Sequence, residues 1–373
     1  MKNSSKSMIF HHSHEILENP QTGSQVRAKK MLEAFIKSGY EVEEVTGKIQ
    51  KRKTKILEIK KKIEEGKVYD FCYSESATMP MLIVDKYEIL RNFNFDVKFF
   101  LFLKKNSIPV GHFLRDIYWC FEKDWVTKSW IKKKILRLFY KYDLKMYNKC
   151  LDVLFVPTLH FMKYLPELNV PAVSLPPGND TPDINIKKDK KCECLNFIYV
   201  GGVVPPRYNV AEFLKSAIEH PEHQFYLICR KKEWEKAENL YFANMEIPAN
   251  LIVEHLKHNE LADRYAKADI SFINVGPHEY WQITWPIKFF ESMGYGLPLL
   301  TVGDSVCAEF VRKNDLGWNI NENFTMNSFI QYIQNNSEDL IHKTENVVKI
   351  RKDNSWQKRA EKAAKEIVKH FSQ

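Results

Sequence analysis

The sequence predicts an α/β protein made of two doubly wound, Rossmann-like domains that face each other across a cleft. Three observations predict this fold. Short apolar runs alternate with helical patterns in both halves, and a polar tract rich in proline and lysine separates the halves. The length of 373 residues suits two domains of about 150–200 residues better than one core.

The elements follow in order. Met8-Ile9-Phe10 is a short apolar run, followed by a polar loop with Pro20 and Gly23. From Val26 a helix is expected, because Met31, Leu32, Phe35 and Ile36 recur on one face; Ser38-Gly39 ends it. Tyr40 to Val45 alternates as a strand does, which completes a β-loop-α-β unit of a parallel sheet. Further strands are expected at 69–73, 108–113 and 151–157. Pro176-Pro177-Gly178-Asn179-Asp180-Thr181-Pro182 and the lysine-rich stretch to Lys191 cannot form a core element and mark the boundary. A second alternating series then runs through strands at 196–200, 224–229, 251–254, 270–275 and 299–302, with helices at 211–218, 261–268 and 287–294. A long basic helix is expected over 345–370. The reading assigns 1–178 to the first domain, 179–194 to a linker, 195–345 to the second domain, and 346–373 to a helix that packs back on the first.

Composition narrows the class. With 44% apolar and 28% charged residues the chain has the balance of a folded protein, not of a disordered or fibrous one. Its greasiest run, Phe99 to Leu103, is far below the roughly 18 residues of a membrane span, and no secretory signal is expected at the N-terminus. Seven cysteines, with only Cys192-x-Cys194 closely spaced, argue against a disulfide framework or a zinc site and for a reducing cytosol. The charge is uneven. Residues 1–178 hold 31 Lys and Arg against 20 Asp and Glu, whereas the remainder holds 25 against 27. A basic half beside a near-neutral half points to a polyanionic partner, nucleic acid or an anionic membrane.

The most informative stretch is Trp285-Pro286-Ile287-Lys288-Phe289-Phe290-Glu291-Ser292-Met293-Gly294-Tyr295-Gly296-Leu297-Pro298. Pro286 suits a first helical turn, whose free N–H groups and dipole attract phosphate. Lys288 adds positive charge there. Glu291, three residues on, shares its face and can accept from vicinal hydroxyls such as a ribose diol. The plain alternative is an amphipathic helix whose Lys and Glu are merely solvated.

These segments together resemble the GT-B glycosyltransferases, in particular family 4 and its bacterial surface-polysaccharide relatives. Gly23-Ser24-Gln25-Val26-Arg27 with Met31-Leu32 and Gly39-Tyr40-Glu41-Val42 resembles the family's glycine loop, first helix and second strand. Pro176-Pro177-Gly178-Asn179-Asp180 resembles its interdomain Pro-x-Gly-x-Asp, and Phe197-Ile198-Tyr199-Val200-Gly201-Gly202 the strand and turn that open the nucleotide domain. Pro286-x-Lys288-x-x-Glu291 with Gly296-x-Pro298 resembles the donor helix. The resemblance spans nearly the whole chain. It implies transfer of a sugar from a nucleotide donor, UDP-linked, with Glu291 on the ribose and Gly23, Ser24, Gly201, Gly202, Arg207 and Lys288 around the diphosphate. The sequence departs from the family at Ile283, where many members have a second Glu, and at Gly201-Gly202, where a Gly-Arg is usual.

In the resemblance Arg115-Asp116-Ile117-Tyr118-Trp119 takes the place of the family's His-Asp, which faces the sugar. Asp116 can deprotonate an acceptor hydroxyl while Arg115 orients it; an Arg-Asp pair tying strand to helix is the alternative. Glu75 and His112, also at strand ends, are further candidate bases. His11-His12-x-His14 is not expected to hold a metal, since a helix dipole and basic residues can stabilise a diphosphate leaving group; no cofactor is expected.

From Trp125 to Lys149 lysines interleave with Trp130, Ile131, Ile135, Leu136, Phe139 and Leu144, the pattern of a helix lying in an anionic membrane interface. Lys48 to Lys62 is a second basic run. Nucleic acid is not the expected partner, since no base-reading motif accompanies the charge. The sequence thus implies a cytoplasmic protein, peripheral on the inner face of a bacterial membrane, with a lipid-linked or surface-glycan acceptor. The alternative from another class is a catalytically inactive GT-B partner of a transferase complex.

Overall fold

All ten strands read from the apolar runs pair in parallel with their neighbours, as strands covered on both faces by helices do. The computed structural model describes residues 6–20, 22–81, 94–121, 129–184, 194–205, 208–243, 245–276 and 278–371. Its contacts divide the chain into two units, Met1–Pro176 with Trp356–Gln373, and Pro177–Ser355.

The first unit runs β1 (Ser7–His12), α1 (Gly23–Lys37), β2 (Glu41–Thr46), α2 (Ile49–Glu64), β3 (Phe71–Glu75), α3 (Phe95–Lys105), β4 (Val110–Phe113), α4 (Tyr118–Phe121), α5 (Trp130–Cys150), β5 (Val153–Val156) and β6 (Ala172–Ser174). Its sheet order is β2-β1-β3-β4-β5-β6. The order reverses at β1, so the loops after β1 and β3 flank the crevice where such sheets bind ligands. β6 was not expected, because Ala-Val-Ser carries too little apolar signal. α2 is the basic run 48–62. Its Ile56, Ile59 and Arg52 face inward while the lysines coat the outside.

The second unit runs β7 (Asn196–Val200), α6 (Ala211–Glu219), β8 (Gln224–Ile228), α7 (Lys231–Tyr241), β9 (Leu251–Glu254), α8 (Ala262–Lys267), β10 (Ile270–Ile273), α9 (Glu279–Gln282), α10 (Ile287–Gly294), β11 (Leu299–Val302), α11 (Val306–Asn314), β12 (Gly317–Ile320), α12 (Met326–Asn335) and α13 (Ser337–Arg351). Its sheet order is β12-β11-β10-β7-β8-β9. The reversal here lies at β7, beside β10.

The single helix expected over 345–370 is two. α13 ends at Arg351, a 3₁₀ turn covers Lys352–Asn354, and α14 (Trp356–Phe371) follows. Asn179 explains the break: its side-chain amide donates to the carbonyls of Arg351 (2.9 Å) and Asn354 (3.1 Å), and its backbone N–H also reaches Asn354 O at 3.0 Å. Residues 346–351 therefore stay with the second unit, where Val347 packs against Phe289, Phe290 and Met293. α14 alone joins the first unit. Trp356, Ala360, Ala363 and Ile367 pack with Phe10, Tyr73, Phe113 and Phe155. Gly111 in β4 permits the approach, since a Cβ there would stand 2.4 Å from Ile367 Cγ1.

Candidate active site

In the first unit the expected site residues gather at the carboxyl ends of β3 and β4. Thr22 caps α1 by a reciprocal capping box with Gln25. Gly23 is exposed and Ser24 half-buried at the positive end of that helix. One turn on, Arg27 turns inward. It lies 3.5 Å from the centre of the Phe113 ring and pairs with Glu75 Oε1 at 3.2 Å, both side chains being buried. Tyr73 donates to the same carboxylate oxygen at 2.7 Å. Glu75 is thus held as the counter-charge of Arg27.

Asp116 is buried, and its Oδ2 accepts from Arg115 Nε and Thr78 Oγ1, each at 3.1 Å. Arg115 also donates to Thr78 Oγ1, and Tyr140 to the Thr78 carbonyl. Burial raises the Asp116 carboxyl above its usual range, and the Arg115 guanidinium opposes the shift. A proton acceptor with a raised pKa is a stronger base, the quality general-base work needs. Asp116, Glu75 and His112 line one small pocket, together with Met79, Leu114, Trp119, Tyr140, Asp143 and Tyr147. Trp119 and Tyr140 stack with centroids 5.0 Å apart and planes 9° from parallel. Asp143 was missed at the sequence level. It sits among lysines in α5, and only the turn of that helix shows it to be inward-facing.

His11 and His12, the last two residues of β1, are spent inside the protein, whereas His14 is exposed. His11 contacts Ser74 Oγ and Asp96 Oδ1, and His12 Nδ1 contacts the Glu75 carbonyl at 3.1 Å. Burial drives the His12 pKa down to about 3. Among the described residues no group of three His, Cys, Asp or Glu stands ready to hold a metal ion.

In the second unit the expected donor residues also lie at the carboxyl end of the sheet. Gly201 and Gly202 follow β7; Gly201 N–H donates to Ile228 O at 3.0 Å and Tyr199 Oη to Gly202 O at 2.7 Å. A Cβ on Gly202 would stand 2.2 Å from the Tyr208 ring, so only glycine lets that ring close over the turn. Arg207 lies outside the described residues. Pro286 is the N-cap of α10, one residue earlier than a first-turn proline. Lys288 Nζ donates to Glu291 Oε2 at 2.9 Å. Glu291 is nearly buried, and Tyr265 Oη donates to the same oxygen at 3.3 Å. His258 Nδ1 lies 3.3 Å from Oε1. Sequence reasoning missed His258 and Tyr265; the signal for His258 was its place in the loop after β9. Ile283, where a second Glu is usual in family 4, ends α9.

No protein-family model matches the sequence, and no curated protein matches it. Solved structures do. Sucrose-phosphate synthase from Thermosynechococcus elongatus superposes with a TM-score of 0.62 at 12% identity, covering 96% of this chain and 97% of that one. WaaG, a glycosyltransferase involved in lipopolysaccharide biosynthesis, gives 0.57 at 14% identity, covering 96% and 99%. An alpha-glucosyltransferase in complex with UDP-glucose and DNA gives 0.60 at 13%, covering 97% and 99%. The chain has the GT-B fold. At such identities the likeness speaks for the fold and leaves the chemistry to the residues.

α5 adds a surface feature. Trp130 (71% exposed), Ile131, Ile135 and Leu138 project outward beside Lys132, Lys134 and Arg137, while Tyr140, Leu144 and Tyr147 pack inside. Its partners Trp125 and Lys128 lie outside the described residues. Among the described residues no helix is long and apolar enough to cross a membrane.

Proposed function

We propose that this protein is a nucleotide-sugar-dependent hexosyltransferase with a UDP-linked donor. The observation that carries the reading is the face of α10. There Lys288 and the nearly buried Glu291 lie one helical turn apart at a helix N-terminus, on the same sheet edge as the glycine turn after β7. Glu291 would accept the ribose hydroxyls. Gly201, Gly202, Lys288 and Arg207 would hold the diphosphate, since backbone N–H groups and a cation stabilise the leaving charge without a metal.

In transfer, the acceptor hydroxyl oxygen forms the new bond to the anomeric carbon as the bond from that carbon to the phosphate oxygen breaks. UDP leaves with the electron pair. The hydroxyl proton would pass to Asp116, whose carboxylate Arg115 holds. Glu75 serves by holding Arg27, and His112 by meeting the acceptor.

The acceptor would be a lipid-linked or surface glycan, with the protein peripheral on an anionic membrane. Apolar side chains exposed between lysines on α5 support a lipid interface. A nucleic-acid acceptor is the competing reading, since one structural neighbour is bound to DNA; phosphates are met by lysine and arginine, and the exposed Trp130, Ile131 and Leu138 would gain nothing there.

The test is thermal stability of the purified chain against UDP, GDP, ADP and CDP, followed by turnover with UDP-sugars. A nucleotide at 100 times its Kd stabilises by about 2.7 kcal/mol. Selective stabilisation by UDP is expected. No shift with any nucleotide would overturn the donor assignment and favour an inactive partner.

A further inference from the structure

The stretch 76–80 after β3 has no regular structure, yet this loop is fastened down along its length. Ser76 Oγ accepts from the Arg115 backbone N–H at 3.0 Å. The Thr78 carbonyl accepts from Tyr140 Oη. The Met81 N–H donates to Asp143 Oδ2 at 2.7 Å. Tyr140 and Asp143 stand three residues apart on α5, so one face of that helix holds the loop.

The middle of the loop decides how Asp116 is held. Asp116 Oδ2 accepts from Arg115 Nε and from Thr78 Oγ1, each at 3.1 Å, and the Tyr118 backbone N–H also donates to the carboxylate. A guanidinium only donates, so the Thr78 oxygen is the acceptor in its contact with Arg115 Nη2. An ionised carboxylate only accepts, so the one hydrogen of the Thr78 hydroxyl goes to Asp116. Arg115 thus grips Asp116 twice, once directly and once through Thr78. Burial favours the protonated carboxyl, and donors to its ionised form oppose that. Tyr140 sets where the hydroxyl stands. Its ring is buried and stacks on Trp119, three residues beyond Asp116, so the loop and the start of α4 are tied to the same side chain.

We propose that Thr78 and Tyr140 are positioning residues for sugar transfer: the Thr78 hydroxyl keeps the buried Asp116 carboxylate ionised and aimed, and Tyr140 holds Thr78 through its carbonyl. The proposal rests on the reading of Asp116 as the base. Both residues act through Asp116 and neither has to touch the substrate.

The experiment titrates ¹³C-labelled aspartate carboxyls by NMR on the full chain, with Asp116 assigned by the signal lost in Asp116→Asn. Thr78→Val keeps the shape and removes the hydroxyl; it should raise the Asp116 pKa by about one unit, the measure of one hydrogen bond to a charged group. Thr78→Ser, which keeps the hydroxyl, should return the wild-type value. Tyr140→Phe keeps the stack on Trp119 and should raise the pKa by a smaller amount. His11, Glu75 and His112 from the sheet, and Tyr140, Asp143 and Tyr147 from α5, line the same pocket as Asp116. Thr78→Val leaves all of them in place, so the shift reports the lost hydroxyl. The second readout is hydrolysis of UDP-glucose, UDP-galactose and UDP-N-acetylglucosamine against pH, with water as the acceptor. In Thr78→Val kcat should fall about 10-fold at unchanged KM, as a slightly misplaced base requires, and its acid limb should move up in pH as far as the carboxyl does. An unshifted carboxyl in both Thr78→Val and Tyr140→Phe overturns the proposal whatever the turnover. A shifted carboxyl beside an unmoved acid limb, or beside no turnover of the three sugars, withdraws instead the reading of Asp116 as the base, and with it the role of both residues in transfer.

Discussion

Glu291→Gln tests the donor assignment with little change of shape. In the folded protein Glu291 Oε2 receives Lys288 and Tyr265, and Oε1 faces His258. Glutamine keeps an oxygen for the buried Tyr265 hydroxyl, which alanine would orphan at about 1–3 kcal/mol. The Lys288 pair is partly solvated and worth about 0–1 kcal/mol, so the melting temperature should move by no more than a few degrees. Ligand binding should suffer more. Hydrogen bonds to a charged acceptor are worth roughly 1 kcal/mol more than neutral ones, and a ribose diol makes two of them. The loss of about 2 kcal/mol corresponds to a Kd for UDP raised about 30-fold. Isothermal titration of UDP into wild type and variant measures it, and UMP should lose as much, since the ribose is shared. A Kd within threefold of wild type would refute the reasoning and return Glu291 to an ordinary helix-face carboxylate.

Asp116→Asn should lower kcat by at least 100-fold, as loss of a general base does, while UDP affinity stays within twofold; an active variant would move the role to His112. Replacing Lys132, Lys133 and Lys134 by Glu should weaken binding to vesicles of anionic lipid by well over 100-fold in co-sedimentation, at about 1 kcal/mol for each lysine lost; unchanged sedimentation would remove α5 from the membrane reading. Asp143 gives a pH test in stability. Burial lifts its folded pKa to about 7, well above the usual carboxylate range, so the stability it allows is full below the unfolded pKa and falls as pH rises through 7. Asp143→Asn, which can still accept from Met81, should therefore raise the melting temperature at pH 8 by several degrees and leave it nearly unchanged at pH 4. Equal shifts at both pH values would contradict the burial argument.

Much of the fold was legible because a parallel strand buried on both faces leaves an uninterrupted apolar run. Ile9, Phe71, Val153 and Phe225 each sit in such a run and each is fully buried. β6 and β12 escaped notice because short edge strands need less apolar surface. α2 was legible only as charge, since its lysines outnumber the isoleucines that anchor it. The donor helix was legible because Lys288 and Glu291 are neighbours along one helix, so spacing alone places them together.

The sequence by itself determined the alternation of elements, the two-part division and the local motifs, because each depends on residues within a few turns or strands. Only the tertiary structure decided the rest. Asn179 meets Arg351 and Asn354 across more than 170 residues, and that contact ends α13 and starts α14. Glu75 became the partner of Arg27 rather than a free base because α1 lays an arginine against β3. His11, Ser74 and His112 meet in one hydrogen-bonded cluster because β1, β3 and β4 pair in register. Hydrogen-bond direction is set by whichever group meets which in the folded core, and no spacing along the chain encodes that.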